Sequence, residues 1–270
     1  MLTCAAAFGQ SLILVVVLFT SNACGQTEDL TLKEFAGIGS KYDIEIVSKS
    51  PDFPQNTRWG PIDGQSAAIA DLHRYEPLFC QEFSLYPKSL VRKTKLRRIV
   101  MCHELKFSGQ RRYAIPDFEH DTLYLDIGTN DLPAAYLRKV IHHEFFHIID
   151  YRDDGLLYED ERWKSLNRPD FKYGKGGSSA LGDPTTGELT TKYAGFLTHY
   201  STTGVEEDKA EVFAHLIVNA AAVADRVAHD EVLAEKVIQM KSLVQTYCPA
   251  ADPGFWMRAE ELPRDGDSDH

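Results

Sequence analysis

The segment that most restricts how this chain can fold is VIHHEFFHIIDY, residues 140–151. Asp131 stands where a helix N-cap would, and Pro133 falls in the first turn that follows. The spacing predicts a helix from there to about Tyr151. On such a helix His143 and His147 are four residues apart and project from one face. Phe145, Phe146, Ile148 and Ile149 cover the other faces and demand a core around them. A helix that is apolar almost all round must be central, and this one carries two imidazoles into the interior with it.

Two imidazoles one turn apart suit a metal ion. Zinc accepts ring nitrogens at about 2.0–2.1 Å, and a catalytic zinc keeps one position for water. Glu144, one residue round the helix, is placed to take a proton from that water and return it to a leaving amine. The motif therefore predicts Zn2+ on His143 and His147, with Glu144 as general base. His142 is expected to be an exposed residue or a neighbour of the ligands.

The third ligand has competing candidates. Asp153 lies six residues past His147, where one zincin group places a final ligand, but Asp150 stands where that group has glycine. The segment GVEEDKAEVFAHLIVNAAA offers a second solution. On a helix, Glu207, Ala210, Glu211, Ala214 and Val218 share a face, so two carboxylates sit among small and apolar residues. Burying such ions costs several kcal/mol each unless they are paired or bind a metal. Glu207 as ligand removes that cost, and Glu211, one turn on, would accept a proton from a liganding imidazole and fix its tautomer. Glu206 and Asp208 are expected to be solvated at the helix start, where its dipole favours acids. Another carboxylate or histidine elsewhere in the chain stays open.

LTHYSTTGVEEDKAEVFAHL, following HHEFFHIIDY, resembles the gluzincin metallopeptidases, most closely the catalytic domain of anthrax lethal factor. Residues 120–218, with WKSLN and FKYGKGG, also look like bacterial zinc-binding metallopeptidases of uncharacterised activity. The resemblance implies a zincin-like fold and peptide-bond hydrolysis. It implies Glu207 as third ligand, Glu211 as the carboxylate behind a liganding histidine, and Tyr200 as the tyrosine facing the zinc. Tyr200 also has a physical case, because a phenol aimed at a developing oxyanion lowers the barrier by a few kcal/mol. His199 is a rival for that part. The Gly-rich stretch 152–198 departs from the pattern, so substrate preference is not carried over. DTLYLDIG, before the helix, resembles the edge strand on which zincins dock an extended peptide.

The remaining sequence sets the frame. The formal net charge of −11 argues against nucleic acid, which needs a basic face. LILVVVLF, residues 12–19, is too short to span a bilayer and suits the core of an export leader ending at residue 23. Residues 24–270 then form one domain, secreted or periplasmic, with no membrane span. Cys24 admits a lipid anchor. In an oxidising compartment Cys80 and Cys102 are the expected disulfide. Along the chain, 26–40 reads as a loose lead-in, 42–48 as a strand and 51–64 as loop. A helix follows over 65–83, broken or kinked at Pro77. Two strands come next, joined by a polar connection from Ser108 to His120. Residues 152–198 read as an irregular loop without phosphate-loop spacing. Helices are expected over roughly 205–226 and 229–247, then an acidic, frayed tail, 251–270.

The expected fold is α+β and zincin-like: a strand-rich part (26–130) forming a small mixed sheet, then a helical part (131–250) with the active-site helix and a C-terminal helical lobe. The expected function is a zinc-dependent endopeptidase acting on a peptide or protein. The rival is an exported zinc-binding module for adhesion or protein binding, without proteolysis.

Overall fold

The computed structural model describes residues 32–128, 132–177 and 184–264. The expected export leader, Cys24 and Asp131 lie outside the described residues. The architecture is α+β: a seven-stranded mixed sheet with helices packed on it. None of the described helices is long and apolar enough to cross a membrane.

The sheet is organised around β4 (Arg98–Phe107). On one side, β1 (Glu45–Val47) runs parallel to its first half, and β3 (Gly60–Ser66) runs antiparallel to its second half. On the other side lies β7 (Thr122–Asp126), parallel to β4, with β5 (Gln110–Arg111) pairing the end of β4. β2 (Gln55–Thr57) extends β3, and β6 (Ala114–Asp117) extends β7, both antiparallel.

Period-two alternation sends successive side chains of β4 to opposite faces. Ile99 and Met101 enter the main core with the helices, whereas Val100 and Cys102 join a smaller cluster with Ile62, Ile115 and Tyr124. This explains why the expected Cys80–Cys102 disulfide is absent. Cys80 lies in the helical core and Cys102 on the far face of the sheet, and both are free and buried.

Several other expectations are corrected. The lead-in contains helix α1 (Lys33–Tyr42), which buries Phe35, Ile38 and Tyr42. The segment 51–64 is not loop but contains β2 and the start of β3. The polar connection after β4 holds β5 and β6. β7 is therefore interior, and β6 is the strand at that end of the sheet among the described residues. Helix α2 (Ile69–Phe83) runs through Pro77, whose exposed ring costs one helical hydrogen bond. Its Leu72, Tyr75, Phe79 and Phe83 are buried in the core, which outweighs that loss.

After the short helix α3 (Lys88–Lys93) and the sheet comes the long helix α4 (Ala134–Asp153), bearing HHEFFH. Among the described residues, the stretch that follows is irregular apart from short turns and α5 (Glu161–Lys164). The predicted helix at 205–226 is two: α6 (Val205–Val218) and α7 (Ala220–Val227), divided at Asn219. Then α8 (Glu231–Tyr247) packs beside α6. The expected frayed tail instead contains α9 (Pro253–Glu260), capped by Asp252 and burying Phe255 and Trp256. α4 and α6 pack side by side in the core, and the histidines of one meet the glutamates of the other.

A candidate metal centre between two helices

α4 holds its position through Phe145, Phe146 and Ile149, all fully buried. That packing turns His143 and His147 toward α6, where Glu207 occupies the third position of the helix. His143 Nε2 lies 3.0 Å from Glu207 Oε2 and 3.1 Å from His147 Nε2; His147 Nε2 is 3.4 Å from the same Glu207 oxygen. Tetrahedral geometry with bonds of about 2.0–2.1 Å separates ligand atoms by roughly 3.3 Å, so the spacing fits zinc. The three are the one group among the described residues whose atoms converge as a metal site would require.

The chemistry of the donors points the same way. His143 Nδ1 donates to Glu211 Oε1 at 2.9 Å, which leaves the Nε2 lone pair of a neutral ring facing a carboxylate. Lone pairs so close repel unless a cation or proton lies between them. Burial opposes a charge on His143, yet the Glu207 and Glu211 carboxylates push its pKa up to about 10, so a proton fills that role when no ion does. Burial likewise opposes ionisation of Glu207, but hydrogen bonds from His143 and His147 hold it well below the usual carboxylate range.

Glu144 borders the group, half-buried, and makes no ion pair with a lysine or arginine among the described residues. Burial raises its carboxyl above the usual range, against the pull of the two imidazoles. Tyr200 begins a 3-10 turn, Tyr200–Thr202, just before α6. Its ring stands 5.8 Å from that of His143, and its hydroxyl lies close to Glu207 Oε1. Burial first, then the charges of Glu207 and Glu144, raise this phenol well above its ordinary value. His199, by contrast, is exposed and stacks on Tyr193.

Glu211 is fully buried behind His143. It also accepts from Lys139 Nζ at 3.0 Å and from Thr198 Oγ1 at 2.9 Å, with His215 Nε2 at 3.5 Å. These partners were missed in the sequence, although Lys139 precedes His143 by one turn and His215 follows Glu211 by one. Asp153 does not join the group. α4 stays helical to Asp153, so the turn that would bring this residue back never forms, and its side chain is exposed.

Three neighbours are corrected. His142 is neither exposed nor beside the ligands but fully buried on the opposite side of α4, 3.0 Å from Glu82. Glu206 is buried too. Asp208, expected in solvent, is wholly buried and accepts from Trp163 Nε1, Tyr173 OH and Lys236 Nζ at 2.6–2.7 Å. It thereby fastens the WKSLN and FKYGKGG segments to α6 and α8. Gly174 and Gly176 donate to the carbonyls of Thr202 and Thr203, so this strand of chain runs along the approach to α6. At Gly177 a Cβ would stand 2.1 Å from Glu207 Oε1 and 2.2 Å from the Tyr200 hydroxyl, so no larger residue fits there undisturbed.

Residues 112–250 match the model of a family described as "Putative zinc-binding metallo-peptidase", and the chain belongs to that family. Among solved structures, the chain is similar to one from Bacteroides caccae ATCC 43185 described in the same words. The identity is 15%, over 84% of this chain and 90% of that one, with a TM-score of 0.49. No curated protein matches the sequence.

Proposed function

We propose that this protein is a zinc-dependent endopeptidase, exported behind its N-terminal leader. The observation that carries the reading is the convergence of His143, His147 and Glu207 within 3.4 Å of one another, with Glu144 and Tyr200 alongside. Family membership supports it.

His143 and His147 from α4 and Glu207 from α6 would hold the ion. Bound there, zinc supplies Lewis acidity toward water and a substrate carbonyl. Glu144 takes the proton released as water attacks and passes it to the leaving amine; its raised pKa suits both tasks. Tyr200, beside Glu207, turns its hydroxyl to the oxyanion. Glu211 holds the Nδ1 proton of His143 and keeps Nε2 free to ligate. β6, at the end of the sheet and packed against α4, offers backbone groups to an extended peptide.

The test is zinc stoichiometry together with cleavage of a peptide library, with and without chelator. Wild type is expected to hold one zinc and to lose cleavage on chelation. Glu144→Gln is expected to keep the zinc and lose hydrolysis. Substantial turnover by that variant would remove Glu144 from its role. Zinc without cleavage in the wild type would favour the non-proteolytic binding module.

A further inference from the structure

Lys139 has no part in the chemistry above, yet it is buried in the same cluster. It lies on α4 one turn before His143, so both side chains project from the same face. Its Nζ reaches both oxygens of Glu211, at 3.0 and 3.3 Å. The side chains of Lys139 and Glu211 are only 9% and 1% exposed, so water does not screen the pair.

The Glu211 carboxylate is shared out atom by atom. Oε1 receives His143 Nδ1 and Lys139; Oε2 receives Thr198 Oγ1 and Lys139, with His215 Nε2 nearby. The Asn219 amide nitrogen stands 2.7 Å from His215 Nδ1 and donates to it, which leaves the His215 proton on Nε2, toward Glu211. Thr198 thus contributes a hydroxyl dipole, His215 lies nearby, and Lys139 is the side chain that bridges both oxygens.

We propose that Lys139 is a positioning residue of the metal centre: its ammonium pins Glu211 so that Glu211 can fix the tautomer and orientation of His143. This rests on the reading of His143 as a zinc ligand. Without the lysine, Glu211 would be a buried anion lacking its countercharge, which is costly to keep in place. If it rotates away, the Nδ1 proton of His143 loses its acceptor and the ring is free to turn. Residues that hold a ligand in this indirect way typically govern metal affinity by about 10- to 100-fold. A purely structural ion pair joining α4 to α6 would behave differently. Its loss would destabilise the metal-free fold and leave the zinc affinity of the folded chain alone.

The experiment is zinc affinity of the full chain, by competition with a chromophoric chelator, beside thermal unfolding of the metal-free protein. Lys139→Met is expected to bind zinc at least about tenfold more weakly, and Lys139→Arg, which keeps the charge, to remain close to wild type. The effect should also vanish when Glu211 is already altered: E211Q and K139M/E211Q should bind zinc equally, because the lysine acts through that carboxylate. This second comparison does not depend on the folding of K139M alone, and in E211Q the lysine keeps the Gly187 carbonyl and the Tyr136 ring. Wild-type affinity in K139M, or a further tenfold loss on adding K139M to E211Q, would overturn the proposal while leaving the zinc site intact. A wild-type protein that binds no zinc would overturn the zinc site and this inference together.

Discussion

His142 Nε2 donates to Glu82 Oε2 over 3.0 Å, linking α4 to α2 on the side away from the metal centre. The Tyr86 hydroxyl donates to His142 Nδ1 at 2.6 Å, and burial lowers the pKa of the ring. Arg264, beyond α9, reaches both oxygens of the same carboxylate at 2.9 Å. The residue next to the first ligand is thus anchored from α2 and from the C-terminal segment at once.

That anchor sets a pH dependence. Burial opposes the charge on Glu82, but His142 and Arg264 overcome it and lower its pKa to about 2 from an ordinary 4.5. A depressed carboxylate contributes stability that is complete above its unfolded pKa and disappears as pH falls through the folded one. The contribution, on the order of 3 kcal/mol, should therefore disappear between about pH 4.5 and 2. Glu82→Gln is expected to be less stable than wild type at neutral pH, with the difference shrinking toward pH 2. Denaturant melts across that range check it; a difference constant with pH would count against the ionised anchor.

The ligand assignment predicts a contrast between two acids. Glu207→Ala should lower zinc stoichiometry well below one equivalent, because two imidazoles alone make a weak site. Asp153→Ala should leave it unchanged, since this side chain is exposed at the end of α4. Elemental analysis of both variants after dialysis decides the matter, and the reverse pattern would reassign the third ligand.

The sequence made the HHEFFH helix and the glutamate pair legible for one reason: helical spacing places chemically unusual residues on faces that are otherwise apolar. Elements set by distant partners were not legible. α1 has no capping side chain of its own; its first amides at Glu34 and Phe35 are met by Glu76 of α2, each at 3.0 Å. β2 is three polar residues long and exists because β3 pairs with it. Asp208 reads as a solvated acid at a helix start until Trp163, Tyr173 and Lys236 are brought to it from other segments. Local pattern reveals a residue's own element, whereas the burial of a charge depends on what the rest of the chain delivers.

The two faces of β4 make a prediction about thiols. Burial pushes Cys80 up to about 12 and raises Cys102 as well, so neither is a reactive thiolate in the folded protein. After unfolding without reductant, both should be alkylated in full, and reductant should not change the melting temperature. Recovery of a linked Cys80–Cys102 peptide from a non-reducing digest would contradict the placement of these residues on opposite sides of the sheet.

Gly177 gives the most local test of how the irregular segment meets the metal centre. A methyl group there would lie within 2.2 Å of both Glu207 Oε1 and the Tyr200 hydroxyl, far inside van der Waals contact. The loop is held on one side by the Gly174 and Gly176 amides on Thr202 and Thr203, so it cannot retreat without breaking those bonds. The two side chains must yield instead, and they are the third ligand and the oxyanion donor in the proposed mechanism. Gly177→Ala is therefore expected to lower turnover at least about tenfold, the scale on which misplaced catalytic groups act. Metal-free stability should change little, because the collision involves an irregular loop and not the core. Steady-state kinetics and a thermal melt of the same preparation measure both quantities. Full activity in the variant would mean that this loop stands clear of Glu207 and Tyr200 during catalysis.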